Sequence, residues 1–386
     1  MSLNARPFCL EDHQIAHSPD LGYTKVSKKA YGKVGLKMQS KRFQIGIIGC
    51  GMWGKILARG FQRDRRAEVS WLYSRTEATA LKAQTELGFG KGTTSLDAVL
   101  KDKGVDAVAI ASPPFMHAQH LAEALKAGKH VLIEKPLAES PQSLRKILAL
   151  SKAFPHLIVL EASARYTRLS MLFHLIKNLI QEGRLGTVYH IHQQHLLPTT
   201  YIEYNPHGNW AMFKRLAGGG PLIDLGVYDL SFNLGLFEDK LRLKRVYGFK
   251  RRDLRLSLGQ TPESDIEQHA AFWLEFKGGL TYYYERGSGA HLELNNQTII
   301  YGSKGVLRFN YFPWEPRLIE FLTNIDGKIH QDNFSLALTE LPQDETDSAN
   351  QALLTHFLDC LEGKSLPIMT VEMAAQNLNI LFRLAK

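Results

Sequence analysis

One stretch constrains this chain more than any other: Phe43–Gly54, FQIGIIGCGMWG. Phe43–Ile48 is a short, mostly apolar run of the kind that forms a buried parallel strand. It passes directly into Gly49-Cys50-Gly51-Met52-Trp53-Gly54, a GxGxxG pattern, and then into KILARGFQRD, which reads as a helix. Each glycine has a physical task in such a turn. Gly49 makes the tight bend, Gly51 lets the backbone approach a pyrophosphate, and Gly54 lets helix and strand pack closely. The free N–H groups of the helix start, at Met52 and Trp53, then hold the anion. Glycine turns are common between strands and helices, so the flanking elements carry the dinucleotide reading.

Strand and helix patterns alternate from there. Glu68–Tyr73, Val105–Ala111, His130–Ile133 and Leu157–Glu161 read as strands, with helices between them at Thr76–Leu87, Leu96–Lys101, Ala118–Ala127 and Pro141–Lys152. Such repetition predicts an α/β fold with a doubly wound parallel sheet, a Rossmann domain over residues 43–165. The pattern then changes. After a helix at Ser170–Glu182, period-2 runs at Thr187–His195, Lys244–Arg251, His269–Phe276, Leu280–Glu285, Leu292–Tyr301 and Gly305–Asn310 predict a second α/β domain, residues 166–386, with an open, mostly antiparallel sheet. Gly218–Leu236 brings a glycine turn into an apolar helix. Two closing helices, Ala349–Glu362 and Val371–Leu384, are free to pack back on the first domain.

Charge excludes one class of function. The net charge is +9, but residues 1–42 hold eight Lys/Arg against three Asp/Glu, so five of those nine charges sit in the N-terminal extension. The body lacks a basic stripe interleaved with aromatics, and nucleic acid is not expected as a partner. No apolar run has the length to span a bilayer, and no signal-peptide core stands near the start, so a cytoplasmic chain is expected. The three cysteines are far apart and suggest neither a disulfide framework nor a zinc site. His190 and His192 fall on one face of a strand and His195 on the other, which is no metal triad.

A site for NAD usually carries Asp or Glu at the tip of the second strand, on the ribose 2′-hydroxyl. Here the tip reads Tyr73-Ser74-Arg75-Thr76. Ser74 and Thr76 offer hydroxyls, and Arg75 suits a 2′-phosphate, which favours NADP. The alternative is an exposed Arg75 with Glu77 on the ribose, and NAD as cofactor.

These motifs, with those that follow them, resemble the glucose–fructose oxidoreductase/inositol dehydrogenase/rhizopine-catabolism family. The resemblance spans residues 43–385. It rests on the glycine loop, Ala111-Ser112-Pro113-Pro114 with His117, Ala127-Gly128-Lys129-His130-Val131, Glu134-Lys135-Pro136, Gly183-x-x-Gly186, and Gly218-Gly219-Gly220 leading to Asp224-x-Gly226-x-Tyr228. It implies that Ala111, Ser112, Pro113, His117 and Glu134 border the cofactor, that Lys135 points at the substrate oxygen beside the nicotinamide, and that Lys135–Pro136 is cis. It also implies a homodimer or homotetramer built through the second sheet. Lys135 at the C-terminal end of a parallel strand agrees with the crevice rule for such sheets.

Tyr228 stands where much of the family has histidine, as in the branch with dimeric dihydrodiol dehydrogenase and NADP-linked xylose dehydrogenases. A phenol can exchange a proton if a nearby ammonium such as Lys135 lowers its pKa. Asp224, four residues earlier, is placed to share a helix face with Tyr228 and orient Lys135 or bind a substrate hydroxyl. Arg165 is placed for the nicotinamide amide or a substrate anion, Trp210 for a pocket wall and His207 for substrate. The function expected is hydride transfer between NADP and a CH–OH or C=O group of a sugar, cyclitol or diol, with no metal needed. The alternative is a non-enzymatic NADP-binding sensor on the same fold.

Overall fold

A computed structural model describes residues 42–199, 209–252, 264–290, 296–315, 319–334 and 345–385. The extension up to residue 41 and His207 lie outside the described residues. In the N-terminal half, β1 (Phe43–Ile48), β2 (Ala67–Tyr73), β3 (Lys91–Thr93), β4 (Ala107–Ile110), β5 (His130–Ile133) and β6 (Val159–Glu161) form one six-stranded sheet in the order β3-β2-β1-β4-β5-β6. All its pairings are parallel. The central position of β1 explains its composition: Ile45, Ile47 and Ile48 are fully buried, as a strand covered by helices on both faces requires.

The helices α1 (Met52–Arg63), α2 (Glu77–Leu87), α3 (Leu96–Leu100), α4 (His117–Lys126) and α5 (Pro141–Ala153) follow strands β1 to β5 in turn. Local signals explain where they begin. The side chains of Thr76, Ser95 and Ser140 each accept a hydrogen bond from the backbone N–H three residues on, capping α2, α3 and α5. The start of α1 has no side-chain cap.

The C-terminal half opens with α6 (Met171–Gln181) and β7 (Val188–Leu197). Short helices α7 (Lys214–Ala217) and α8 (Pro221–Asp224) then lead into α9 (Gly226–Gly235). Strands β8 (Leu243–Arg251), β9 (His269–Phe276), β10 (Thr281–Ser288), β11 (Gln297–Gly302), β12 (Val306–Phe309), β13 (Ile319–Ile325) and β14 (Lys328–Phe334) join β7 in an eight-stranded sheet ordered β14-β13-β12-β11-β7-β10-β9-β8. Only the β7–β10 pairing is parallel. Every residue of α9 is buried. The closing helices are α10 (Glu345–Leu361) and α11 (Val371–Leu384). Phe357 of α10 meets Phe61 of α1 edge-on at 6.1 Å. Arg66 pairs there with Asp359 and Glu362. Helix α11 packs on both α5 and α9. No helix among the described residues is long and apolar enough to cross a membrane.

Three strands went unread in the sequence. The strand β3 is three residues around Gly92, too short for any period. The β13–β14 hairpin had a signal, Asp326-Gly327, with both residues at positive φ (53° and 79°) as a tight hairpin turn requires.

Candidate active site

The glycine loop lies at the C-terminal end of β1, beside that of β4. Gly49 has φ +103°, and a Cβ there would lie 2.7 Å from the Ser112 N and 2.8 Å from the Ala111 carbonyl carbon. A Cβ on Gly54 would overlap the Gly49 carbonyl oxygen at 1.8 Å, whereas one on Gly51 meets nothing within 4 Å. The first packs against β4, the last against the turn itself, and the middle one opens outward. An uncapped helix start behind an open glycine is a cradle whose donors are left for a ligand. These residues fit a dinucleotide.

At the tip of β2, the Thr76 hydroxyl is taken by the cap of α2, accepting from Thr79 N at 3.4 Å. Arg75 and Glu77 are both exposed, and Ser74 is half-buried. Its backbone N–H donates to Thr93 O at 3.0 Å.

The loop after β5 carries the central group. Lys135 Nζ donates to Asp224 Oδ1 at 2.7 Å and to the Asp224 carbonyl at 2.9 Å. It lies 5.0 Å from the centre of the Tyr228 ring. The Lys135–Pro136 bond is cis. Asp224 and Tyr228 do not share one helix, as the sequence spacing suggested. The chain breaks at Leu225, and Asp224 ends α8 while Tyr228 lies in α9. Pro221 starts a new turn after the three glycines, and the break swings Asp224 toward Lys135.

The Tyr228 hydroxyl is buried and has no hydrogen-bond partner among the described residues. Its pKa does not fall. Burial raises it well above the usual phenol value, and the Arg165 guanidinium only partly opposes this. Lys135 sits over the ring face rather than at the oxygen, so it does little to stabilise a phenolate.

Arg165 is fully buried, with its guanidinium 4.5 Å over the Trp53 ring. One arm pairs with Glu134. Its Nε and Nη1 have no partner among the described residues. The other Glu134 oxygen accepts the Lys135 backbone N–H at 3.2 Å. Glu134 thus joins the two cationic residues and fixes the turn between them. His117 is not at the surface of the crevice. It is fully buried, with Nε2 2.8 Å from the Ser112 carbonyl and Nδ1 3.0 Å from the Pro136 carbonyl. It ties the Ala111-Ser112-Pro113 loop to the Lys135 turn, and burial lowers its pKa. Trp210 packs in a separate small apolar cluster with Ala211, Met212, Phe213 and Ile266.

Sequence reading missed an aromatic wall. Tyr166 lies 5.2 Å from the Tyr228 ring, and Phe312 lies 6.1 Å from it. Trp314 stacks on Phe312 at 4.5 Å and meets Tyr166 edge-on at 5.6 Å. The signal was present as Tyr311-Phe312-Pro313-Trp314, an aromatic loop between two strands. It also missed Asp229. This fully buried carboxylate accepts from Arg286 Nε at 3.0 Å, Gln193 Nε2 at 2.8 Å, the Tyr284 hydroxyl at 2.9 Å and the Tyr311 hydroxyl.

Below Arg165, Glu161 is buried, and burial pushes its carboxyl up to about 7 despite hydrogen bonds from Ser163. The folded chain therefore holds this proton more tightly than the unfolded one. The stability it contributes is complete below the ordinary carboxylate range and is lost as pH rises through about 7, roughly 3 kcal/mol in all. Glu161→Gln removes that dependence. Buried His117 and His120 act oppositely in the acid range, so the expected result is a wild-type-minus-variant difference in urea stability that falls between pH 5 and 8. A flat difference contradicts it.

Comparison with known proteins decides the family. Residues 43–158 match the family model described as "Oxidoreductase family, NAD-binding Rossmann fold", and residues 173–308 match the GFO/IDH/MocA C-terminal domain. The chain belongs to the GFO/IDH/MocA oxidoreductase family. Its first domain is thus of the nicotinamide-dinucleotide-binding type. A 1,5-anhydro-D-fructose reductase of Ensifer adhaerens is 28% identical over 184 residues, which cover 48% of this chain and 53% of that protein. A trans-1,2-dihydrobenzene-1,2-diol dehydrogenase of Xenopus laevis is 25% identical over 73% of this chain and 78% of its own. The match spans about half the length of some of these relatives, 53% for the Ensifer protein and 45% for an uncharacterized oxidoreductase of Streptococcus pneumoniae. A 3-ketoreductase from Actinomadura kijaniata, solved with NADP and TDP-benzene, shares the fold with a TM-score of 0.67 at 22% identity, over 88% of this chain and 96% of that one.

Proposed function

We propose that this chain is an NADP-dependent oxidoreductase of a sugar, cyclitol or diol, moving hydride between nicotinamide C4 and a CH–OH or C=O carbon. The observation that carries this is the grouping of Lys135, Asp224 and Tyr228: an ammonium clamped at 2.7 Å by a carboxylate, above a buried phenol whose hydroxyl has no partner among the described residues. A sensor has no use for that arrangement. The bound nicotinamide supplies or takes up the hydride. Lys135 polarises the substrate oxygen, and Tyr228 exchanges the proton with it. Asp224 holds Lys135 in place and can meet a neighbouring substrate hydroxyl. A phenol kept neutral by burial is a proton donor, which suits carbonyl reduction as the starting state. Gly51, Met52 and Trp53 take the pyrophosphate on the turn that Gly49 and Gly54 shape, Arg165 donates its free arms to the carboxamide or to a substrate anion, and Ala111, Ser112 and Pro113 line the crevice.

NADP is the cofactor because Arg75 is exposed at the β2 tip, where a 2′-phosphate arrives, and no carboxylate precedes it. This reading gives residues 43–165 to the cofactor and 166–386 to substrate and assembly. The outer face of the second sheet exposes Tyr247, Phe249 and Trp273. His190 stacks on Trp273 at 5.1 Å, and His192 on Tyr283 at 4.8 Å. So apolar a face suits a homodimer or homotetramer. Tyrosine at 228 supports a place in the dihydrodiol and xylose dehydrogenase branch.

Fluorescence titration with NADPH and NADH, with light scattering on the same sample, tests these assignments. NADPH is expected to bind at least about tenfold more tightly, the contribution of one charge-assisted contact. Arg75→Ala is expected to erase that ratio while leaving NADH affinity unchanged. A ratio near one in the wild type points instead to Glu77 and NAD. Turnover of 1,5-anhydro-D-fructose, dihydrobenzenediols or inositols supports the enzyme, and cofactor binding without any turnover across that panel supports the sensor.

A further inference from the structure

Trp314 is a large aromatic residue left 52% exposed beside the rings of Phe312, Tyr166 and Tyr228. Its plane is not free. Phe312 stacks on it at 16° and Tyr166 abuts it edge-on at 80°, so two ring contacts fix its orientation. The loop that bears it is anchored from below, because the Tyr311 hydroxyl donates to Asp229 and Arg286 lies 5.4 Å over the Phe312 ring. Both of Trp314's ring neighbours in turn touch Tyr228. A half-exposed indole thus stands two rings away from a hydroxyl that has no partner among the described residues. An apolar ring face held close to polar groups is the form of site that takes a ring with one apolar face and hydroxyls at its edge.

From this geometry we infer that Trp314 is the specificity-determining wall of the site. It stacks on the C–H face of a six-membered ring substrate, whose carbinol or carbonyl carbon is thereby set against Lys135 and Tyr228. Open-chain polyols, which offer no such face, are selected against. The inference deepens the function proposed above and rests on it.

Two vicinal secondary diols separate ring from chain at equal chemistry: cyclohexane-1,2-diol and butane-2,3-diol. The wild-type chain with NADP is expected to favour the ring diol in kcat/KM by at least about tenfold, the order of one aromatic contact. Trp314→Ala is expected to remove most of that preference through KM, with kcat and the butanediol constants little changed. Trp314→Phe is expected to restore most of it. Unchanged NADPH affinity in both variants shows that the fold and the cofactor half are intact. A ring preference that survives Trp314→Ala, equal losses on the two diols, or a wild-type preference for butanediol overturns the platform alone. Turnover of neither diol by a wild type that turns over the cyclic panel named above also overturns the platform alone, whereas no turnover of either diol or of that panel overturns the oxidoreductase reading and this inference with it.

Discussion

Lys135→Met is expected to lower turnover by about a thousandfold while leaving NADPH affinity nearly unchanged. The loss follows from position. Lys135 is held by Asp224 over the Tyr228 ring, where the proposed reaction sets the substrate oxygen, and removing a pre-organised donor from a developing oxyanion costs about two to three orders of magnitude. Loss of the proton-exchange geometry adds to it. Methionine keeps the apolar stem, so packing around the side chain, which is only 9% exposed, is largely retained. Asp224 loses its partner but is partly exposed and rehydrates. In the function proposed above the cofactor is held by the glycine loop and Arg75, which the substitution does not touch. Tyr228→Phe is the companion. It removes one hydroxyl already lacking a partner, so it costs activity without stability. Single-turnover measurement of nicotinamide absorbance separates the chemical step from binding. Near-normal turnover in Lys135→Met removes the lysine from the chemistry.

Asp229→Ala is expected to destabilise the fold by about 3–5 kcal/mol, because it leaves Arg286 buried without its counter-charge. Two tyrosine hydroxyls and the Gln193 amide lose an acceptor at the same time. That is a large part of the stability of an ordinary domain. Removing both charges in Asp229→Ala/Arg286→Met is expected to recover much of the loss, since an apolar replacement of a buried pair is often neutral. Urea unfolding followed by intrinsic fluorescence decides this. A single variant within about 1 kcal/mol of wild type would falsify the account of the network.

The fold was legible where the residues carry local instructions. Phe43–Gly54 announces strand, turn and helix because three glycines and an apolar run fix them together, and His130–Ile133 followed by Glu134-Lys135-Pro136 places the lysine at a strand end. The tertiary chemistry was less so. The phenol's pKa depends on burial among residues far apart in the chain, Lys135, Tyr166 and Phe312, which no spacing reveals, and the expected lowering by Lys135 fails for that reason. Asp224 and Tyr228 fit a helical period of four, but the proline and glycines around them break the helix. Asp229 looks in the sequence like one more helix acid. Only its burial against Arg286, 57 residues on, shows that the second sheet is bound together through it.

The Lys135–Asp224 clamp joins a loop of the first sheet to a helix of the second half. The lysine's aim is therefore set by a part of the molecule that its own sheet does not control. A motion that parted those two segments would break the contact that holds the ammonium. The site is in this sense interlocked, armed only while the halves stay registered. Helix α11, lying across both α5 and α9, is the splint that keeps them so.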